Sequence, residues 1–376
     1  MIEEYIKAIN KFAHSSRPLM FCGHGLKTSG LEKALLRASE TINCPVIATS
    51  HAKSVYPEDH SLYFGCFGFA ASEKSMEFLK AYQPDAILFL GTRLGELSSR
   101  GWSKSLKDPA YKIHVDLDRK QLGKIYKVDV EMVADLKWAL ENILALQLSS
   151  LQEEKFQLRK ELLQKIYKKL NTEKYHTTAA DKNHTPIRPS DFMRVFQELM
   201  PENAVVFSDI GNTMAWAIHE LTFSQNQEFF LPIGLGTMGS GIGAALGARS
   251  YYLDRPIFCL TGDVSALMHC GELHTAIENN LNVKFIVLND GGHGMVEHGS
   301  DLVRFPKGPF RYKNSVNFKS VAEAFHMPAY SARSIQEFLE LPLEDIFRSN
   351  LPSLIDLKID PRIQPPILAR TSVLSK

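Results

Sequence analysis

The sequence predicts an α/β protein built from two units, each around a parallel sheet. Three observations carry this. Short apolar runs recur along the chain, stretches with helical spacing of apolar residues lie between them, and glycine clusters follow several runs. Strands that alternate with helices pair in parallel, and glycine suits the tight turn from a strand end into the next helix. The expected units are therefore Rossmann-like.

With 376 residues the chain is long enough for more than one complete core. Hydrophobic residues make up 44% and charged residues 23%, as in ordinary globular proteins. Forty-three basic and 42 acidic residues leave a net charge of +1, which gives no electrostatic case for nucleic acid or an anionic membrane surface as partner. The five cysteines, Cys22, Cys44, Cys66, Cys259 and Cys270, form no Cys-x-x-Cys pair, and their odd number argues for packed thiols in a reducing compartment. Met1-Ile2-Glu3-Glu4-Tyr5 does not open a signal peptide, and no run approaches the ~18 apolar residues of a membrane span. A cytoplasmic protein is expected.

The first unit is expected over residues 1–147. Leu19 to Cys22 is an apolar run ending in Gly23-His24-Gly25, and Leu31, Ala34, Leu35 and Ala38 then fall on one helical face. Val46 to Thr49, Ala86 to Leu90 and Ile113 to Val115 read as further strands, and Met132 to Leu146 has helical periodicity. Residues 148–188 read as a linker, with a charged, solvated helix over Gln152 to Lys174 and then an extended segment. The second unit spans 189–362, with Ser190 as the expected cap of a helix over Asp191 to Leu199. Its strands are Ala204 to Phe207, Ile257 to Leu260, Val283 to Leu288 and Ser353 to Leu357. Residues 363–376 form a tail; Pro361, Pro365 and Pro366 make the chain after Asp360 extended.

The chemistry concentrates in the second unit. Thr261-Gly262-Asp263-Val264-Ser265 ends one apolar run, and Asn289-Asp290-Gly291-Gly292 ends the next, with Asp290 27 positions after Asp263. Parallel strands joined by a crossover helix put both ends on one sheet edge, where open α/β folds bind ligands. Two carboxylates there, with glycines that admit close approach of backbone, suit a divalent cation and a diphosphate. Ser208-Asp209-Ile210-Gly211-Asn212-Thr213 follows another run and opens a helix, whose free amides favour an anion, although a plain capped helix reads the same way. His293 and His298 flank this region as candidate proton carriers, or as ordinary hydrogen-bonded histidines. Gly239, Gly241, Gly243 and Gly247 fit a helix held close to the sheet.

This ordered set resembles the thiamine diphosphate motif, Gly-Asp-Gly followed at a distance by Asn-Asn, and is similar above all to acetolactate synthase-like enzymes. The likeness continues through Ile233-Gly234-Leu235-Gly236-Thr237-Met238-Gly239 upstream and Gly294-Met295-Val296 downstream. The first unit resembles the family's central domain at Gly23-His24-Gly25, Pro57-Glu58-Asp59-His60, Gly91-Thr92-Arg93 and His114-Val115-Asp116-Leu117-Asp118. The resemblance implies thiamine diphosphate and Mg2+ as cofactors. It implies cofactor contacts from Gly211, Asn212, Thr213, Gly236, Met238, Gly262, Asp263, Val264, Ser265, Asp290, Gly292, Gly294 and Met295, and metal ligation by Asp263, Asp290 and the Gly292 carbonyl. Met238 matches the bulky residue wedged between the cofactor's two rings.

Four departures matter. Asp290 stands where the family has asparagine, and still offers oxygen to the metal. Val264 replaces a glycine, at a cost of about 1–3 kcal/mol if that position needs a positive φ. Gly299 stands in place of a tryptophan that shapes the pocket for a small 2-keto acid, which implies a 2-keto acid other than the usual pyruvate pair. Nearby Arg304, Lys307, Arg311 and Lys313 read either as contacts for an anionic substrate or as a solvated basic loop. In the first unit, Leu94-Gly95-Glu96 replaces an acidic pair associated with FAD, so a structural role is expected there in preference to FAD binding.

The resemblance covers the last two of the family's three domains. The domain without a counterpart supplies the glutamate that meets the cofactor's aminopyrimidine ring. The chain is therefore expected to be one subunit of a split carboligase or 2-keto acid decarboxylase, with a separate pyrimidine-domain partner and a dimeric or tetrameric core. A start at Met1 just before the central domain favours a natural subunit over a truncation. The competing reading is a non-catalytic paralogue that binds the cofactor or serves as a scaffold.

Overall fold

The apolar runs form the inner strands of two sheets in the computed structural model, which describes residues 2–107, 110–146, 150–172, 179–306 and 308–367. The chain divides between Thr177 and Thr178 into two units. The first sheet comprises β1 (Pro18–Cys22), β2 (Val46–Thr49), β3 (Tyr63–Phe67), β4 (Ala86–Leu90), β5 (Tyr111–Asp116) and β6 (Val130–Val133), in the order β3-β2-β1-β4-β5-β6. The second comprises β7 (Val205–Ser208), β8 (Glu228–Phe230), β9 (Ile257–Gly262), β10 (Val283–Asn289), β11 (Ala329–Ala332) and β12 (Ser353–Lys358), in the order β11-β12-β10-β9-β7-β8. Every pairing between these strands is parallel. The expected fold class, α/β with two parallel Rossmann-like sheets, is the one observed.

The inner strands are buried along almost their whole length, as the seven residues of β10 are, because helices cover both faces of such a sheet. The four strands not anticipated from the sequence, β3, β6, β8 and β11, are the four sheet edges, although β3 is apolar and buried along its whole length. Met132 and Val133, where helical periodicity is expected to begin, belong to edge strand β6, and the helix begins at Leu136. The helix Pro189–Leu199 has Arg188 as its N-cap and no side-chain cap bond, so Ser190 does not cap it. Pro189 instead supplies a fixed φ at the first helical position, where no amide hydrogen is needed.

In the first unit, the glycine loops after β1 and β4 pack on each other. The Gly25 amide donates to the Gly91 carbonyl at 2.9 Å, and a methyl at Gly23 would collide with the Gly91 carbonyl and Thr92. Close approach of two loops thus accounts for these glycines.

The charged helix Ser150–Thr172 belongs with the first unit and is not solvated all round. Phe156, Leu163, Ile166 and Leu170 form a buried stripe at helical spacing. Between them Arg159, 3% exposed, donates to the carbonyls of Ala13, Ser15, Ser16 and Ile42. Residue 147 of the expected first unit, residues 148–149 and 173–178 of the expected linker and residues 368–376 of the expected tail lie outside the described residues. The five cysteines are free, four of them buried, and among the described residues no helix is long and apolar enough to cross a membrane.

Two predictions follow from these buried cations. Arg159→Met leaves the carbonyls without a donor and is expected to cost about 2–4 kcal/mol, read as a fall in the urea midpoint at unchanged slope. In the second unit Lys284, 1% exposed, donates to the Ser349 and Leu351 carbonyls at 2.8 and 2.6 Å. Burial, with a smaller contribution from the Arg249 charge, pushes its pKa from the ordinary 10.5 down to about 8. Between those values the unfolded chain holds more protons than the folded one, so stability rises with pH. Denaturation at pH 8, 9 and 10 is expected to show that rise, with a smaller slope in Lys284→Met.

Candidate functional site

Three neighbouring strands of the second sheet end together. Leu288 of β10 pairs with Gly262 of β9, and Ser208 of β7 pairs with Leu260 of β9, so the carboxyl ends lie side by side. The chain leaves β7 towards β8 on one side and returns as β9 on the other, which makes this edge a topological switch point. Each end passes at once into a helix: Asn212–Glu220, Asp263–Met268 and Gly294–Leu302.

The turns between strand and helix line one cavity. Gly211, Asn212 and Thr213 come from the first, Gly262 through Ser265 from the second, and Asp290, Gly292, His293, Gly294 and Met295 from the third, with Met238 contributed by the loop before helix Ser240–Ala248. Gly236, in contrast, is exposed and lies outside the lining. Ile210 and Val296, which stand within the quoted motifs without an assigned role, also line the cavity, as do Leu288 and Ile359.

Asp263, 3% exposed, is held by main chain: Oδ1 accepts from the Val264 amide at 2.8 Å, and Oδ2 from the amides of Gly291 and Gly292, both at 2.9 Å. Asp290 Oδ1 accepts a second, longer bond from Gly292 N at 3.2 Å. Burial, followed by the charge of Asp290, pushes the Asp263 carboxyl up to about 7 against the pull of those amides. Burial also raises Asp290, which Arg311 partly offsets. Two carboxylates driven towards protonation by burial form a site that a divalent cation would stabilise, since its charge inverts both effects.

Val264 adopts no strained conformation. It lies in the first turn of helix Asp263–Met268, so the positive-φ cost considered for it does not arise, and its side chain helps wall the cavity. Gly294 is required by space: a methyl there would land on Asp290 Oδ2 and come within 2.9 Å of Asn212 Nδ2.

The two histidines differ. His293 lines the cavity. His298, 4% exposed, has both ring nitrogens engaged: Nε2 faces the Pro361 carbonyl at 2.9 Å, and Nδ1 faces Asn212 Nδ2 at 3.2 Å. Both contacts together orient Asn212 and leave neither ring nitrogen free. Asn212 Oδ1 is buried with no hydrogen-bond partner, a polar atom that a bound group would satisfy.

Two side chains have roles that sequence reasoning did not assign. Asp209, fully buried, accepts from Ile210 N at 2.8 Å, Gly239 N at 2.9 Å and Thr261 Oγ1 at 3.1 Å, tying together the three segments that carry Asn212, Met238 and Asp263. Arg311, read as part of a basic loop, pairs with Asp290 and Glu297. Lys307 of that loop lies outside the described residues.

Comparison with known families supports the same division. Residues 5–143 match the thiamine pyrophosphate enzyme central domain, and residues 209–357 match the C-terminal TPP binding domain of thiamine pyrophosphate enzymes. This chain belongs to the thiamine pyrophosphate enzyme family. Among its relatives is a probable acetolactate synthase large subunit of Methanococcus aeolicus, 29% identical over 364 residues, which cover 94% of this chain and 60% of the relative. One from Methanocaldococcus jannaschii is 28% identical, covering 96% and 61%. The Escherichia coli acetolactate synthase isozyme 1 large subunit is 26% identical, covering 96% and 63%. The chain thus spans about 60% of the length of these relatives.

Gly294→Ala is expected to displace Asp290 or Asn212 and destabilise the metal-free chain by about 1–3 kcal/mol. Gly243→Ala, where nothing lies within 4 Å of the added methyl, is expected to be neutral or mildly stabilising. Thermal melting of the two variants side by side checks both.

Proposed function

We propose that this chain is the central and diphosphate-binding part of a thiamine diphosphate-dependent carboligase or decarboxylase of acetolactate synthase type. It acts on a 2-keto acid in the cytoplasm, within an assembly built on a dimeric or tetrameric core. A separate subunit supplies the pyrimidine-binding half of the site. The observation that carries the reading is the pair Asp263 and Asp290 on adjacent strand ends, in one cavity with Asn212 and Met238.

The residues fit the cofactor. Among the described residues no three His, Cys, Asp or Glu side chains converge as a metal centre. The residues that would hold a hard cation such as Mg2+ are Asp263, Asp290 and the Gly292 carbonyl, an all-oxygen donor set of the kind such an ion requires. The starts of the nine-residue helices Asn212–Glu220 and Gly294–Leu302 turn amides towards an anion, and Thr213 and Ser265 add hydroxyls. Met238 would supply a bulky apolar surface to the cofactor, and His293 is an ionisable side chain in the cavity lining. Thiamine diphosphate, when bound, supplies the electron sink that allows a bond beside the carbonyl of a 2-keto acid to break.

Apolar side chains left exposed near the lining residues suit a protein partner: Leu235 is 90% exposed, Met268 56% and Val296 53%. Gly299 is half-buried and lies outside the cavity lining; a substrate larger than pyruvate rests on the lack of a side chain there. A non-catalytic cofactor-binding scaffold is the second reading, favoured by the branched Val264 side chain in the cavity wall.

Titration calorimetry with thiamine diphosphate and Mg2+ is expected to show binding that Asp263→Ala abolishes. Carbon dioxide release from a panel of 2-keto acids, measured with and without a pyrimidine-domain protein, is expected to require both chains. Binding without turnover in any combination supports the scaffold, and no binding at all removes both readings.

A further inference from the structure

The turn after β10 is braced by a short segment from further along the chain. His293 N donates to the Phe310 carbonyl at 2.8 Å and Tyr312 N to the Gly291 carbonyl at 2.9 Å, an antiparallel bridge that sets Gly292 opposite Arg311. The pairing fixes where the Arg311 guanidinium goes. Nη1 donates to the Asp290 carbonyl at 2.7 Å and lies 3.5 Å from Asp290 Oδ2, while Nη2 pairs with Glu297 and reaches the Pro361 carbonyl at 3.4 Å. One cation therefore serves two carboxylates, Asp290 before the turn and Glu297 in the first turn of the helix after it. Its side chain is 30% exposed and that of Asp290 only 10%, so solvent screens the pair weakly.

Asp290 stands beside Asp263 as the second carboxylate of the cavity lining. Aspartate adds a negative charge to a wall that, on the proposed function, must accept a diphosphate carrying several of its own. Left uncompensated in a buried setting, that charge repels the ligand.

We infer that Arg311 is the built-in counter-ion that allows an aspartate to stand at this site. It cancels the charge that Asp290 adds, so that the wall meets a diphosphate with the net charge an asparagine would give, and its bond to the Asp290 carbonyl keeps the turn in register. Arg311 is a positioning residue, reached by the ligand only through Asp290. The inference rests on the proposed function and deepens it by naming the device that makes a doubly anionic site compatible with an anionic ligand.

The test measures affinity for inorganic diphosphate and for thiamine diphosphate in saturating Mg2+, on the full chain, by calorimetry. Arg311→Met is expected to weaken both about tenfold, and Arg311→Lys to stay within about threefold of the unaltered chain. In the double variant Asp290→Asn with Arg311→Met, removal of the surplus charge is expected to restore binding to within about threefold. Mn2+ binding without diphosphate, followed by electron paramagnetic resonance, is not expected to weaken in Arg311→Met, because the variant removes a cation; a merely structural arginine would lose both ligands together. Melting curves establish that each variant is folded. Arg311→Gln, which keeps an amide donor and removes the charge, replaces Arg311→Met if the latter is not. Unchanged diphosphate affinity in the charge-removing variant overturns the inference, as does a double variant as weak as the single one. Failure of the unaltered chain to bind either probe removes the proposed function and the inference with it, whereas binding that survives loss of Arg311 removes the inference alone.

Discussion

Everything at the carboxyl edge of the second sheet depends on burying two carboxylates on neighbouring strand ends. Like charges in a low-dielectric setting raise one another's affinity for protons, and desolvation acts in the same direction. The protein meets that cost with main chain on one side and a guanidinium on the other. Asp263 takes three backbone amides, while Asp290 takes one amide and lies against Arg311. Those amides come from the turns themselves, so the shape of the backbone and the charge of the site are one constraint. A side chain at 294 would break it sterically, which ties the glycine there to the electrostatics beside it.

Asp209 extends the constraint sideways. It follows β7, yet binds the amide of Gly239, which begins the helix after Met238, and the hydroxyl of Thr261 in β9. One buried carboxylate thereby fixes three segments that are remote in sequence, and the cavity walls inherit that rigidity. His298 does the same on a smaller scale, linking Asn212 to the Pro361 carbonyl. Side chains that look like candidate acid–base groups when read along the chain can thus be engaged in holding others still.

The inner strands and the cavity were legible in the sequence because both leave strong local marks. Strands covered on two faces read as unbroken apolar runs, and glycine beside aspartate at a run's end marks a turn that carries a ligand site. Three of the four edge strands left no such mark, and the fourth, the apolar β3, is interrupted by Gly65. Val130–Val133 has only Met132 buried, and Glu228–Phe230 is three residues long, so neither rises above the background of its surroundings. The helix Ser150–Thr172 was misread for a related reason: its apolar stripe is narrow and many charged residues surround it. Arg311 could not be assigned from sequence, since its position depends on an antiparallel bridge between loops that no periodicity encodes. His293 and His298 looked alike until burial and partners separated them.

The Pro361 carbonyl, which receives His298 and Arg311, comes from a residue beyond the last strand. During vectorial synthesis every other piece of the cavity wall leaves the ribosome first. Asn212, Asp263, Asp290 and Arg311 emerge in that order, and His298 and Arg311 gain their common acceptor only when the segment carrying Pro361 arrives. The bonds that join the cradle to this segment are therefore among the last of the second unit that synthesis makes possible.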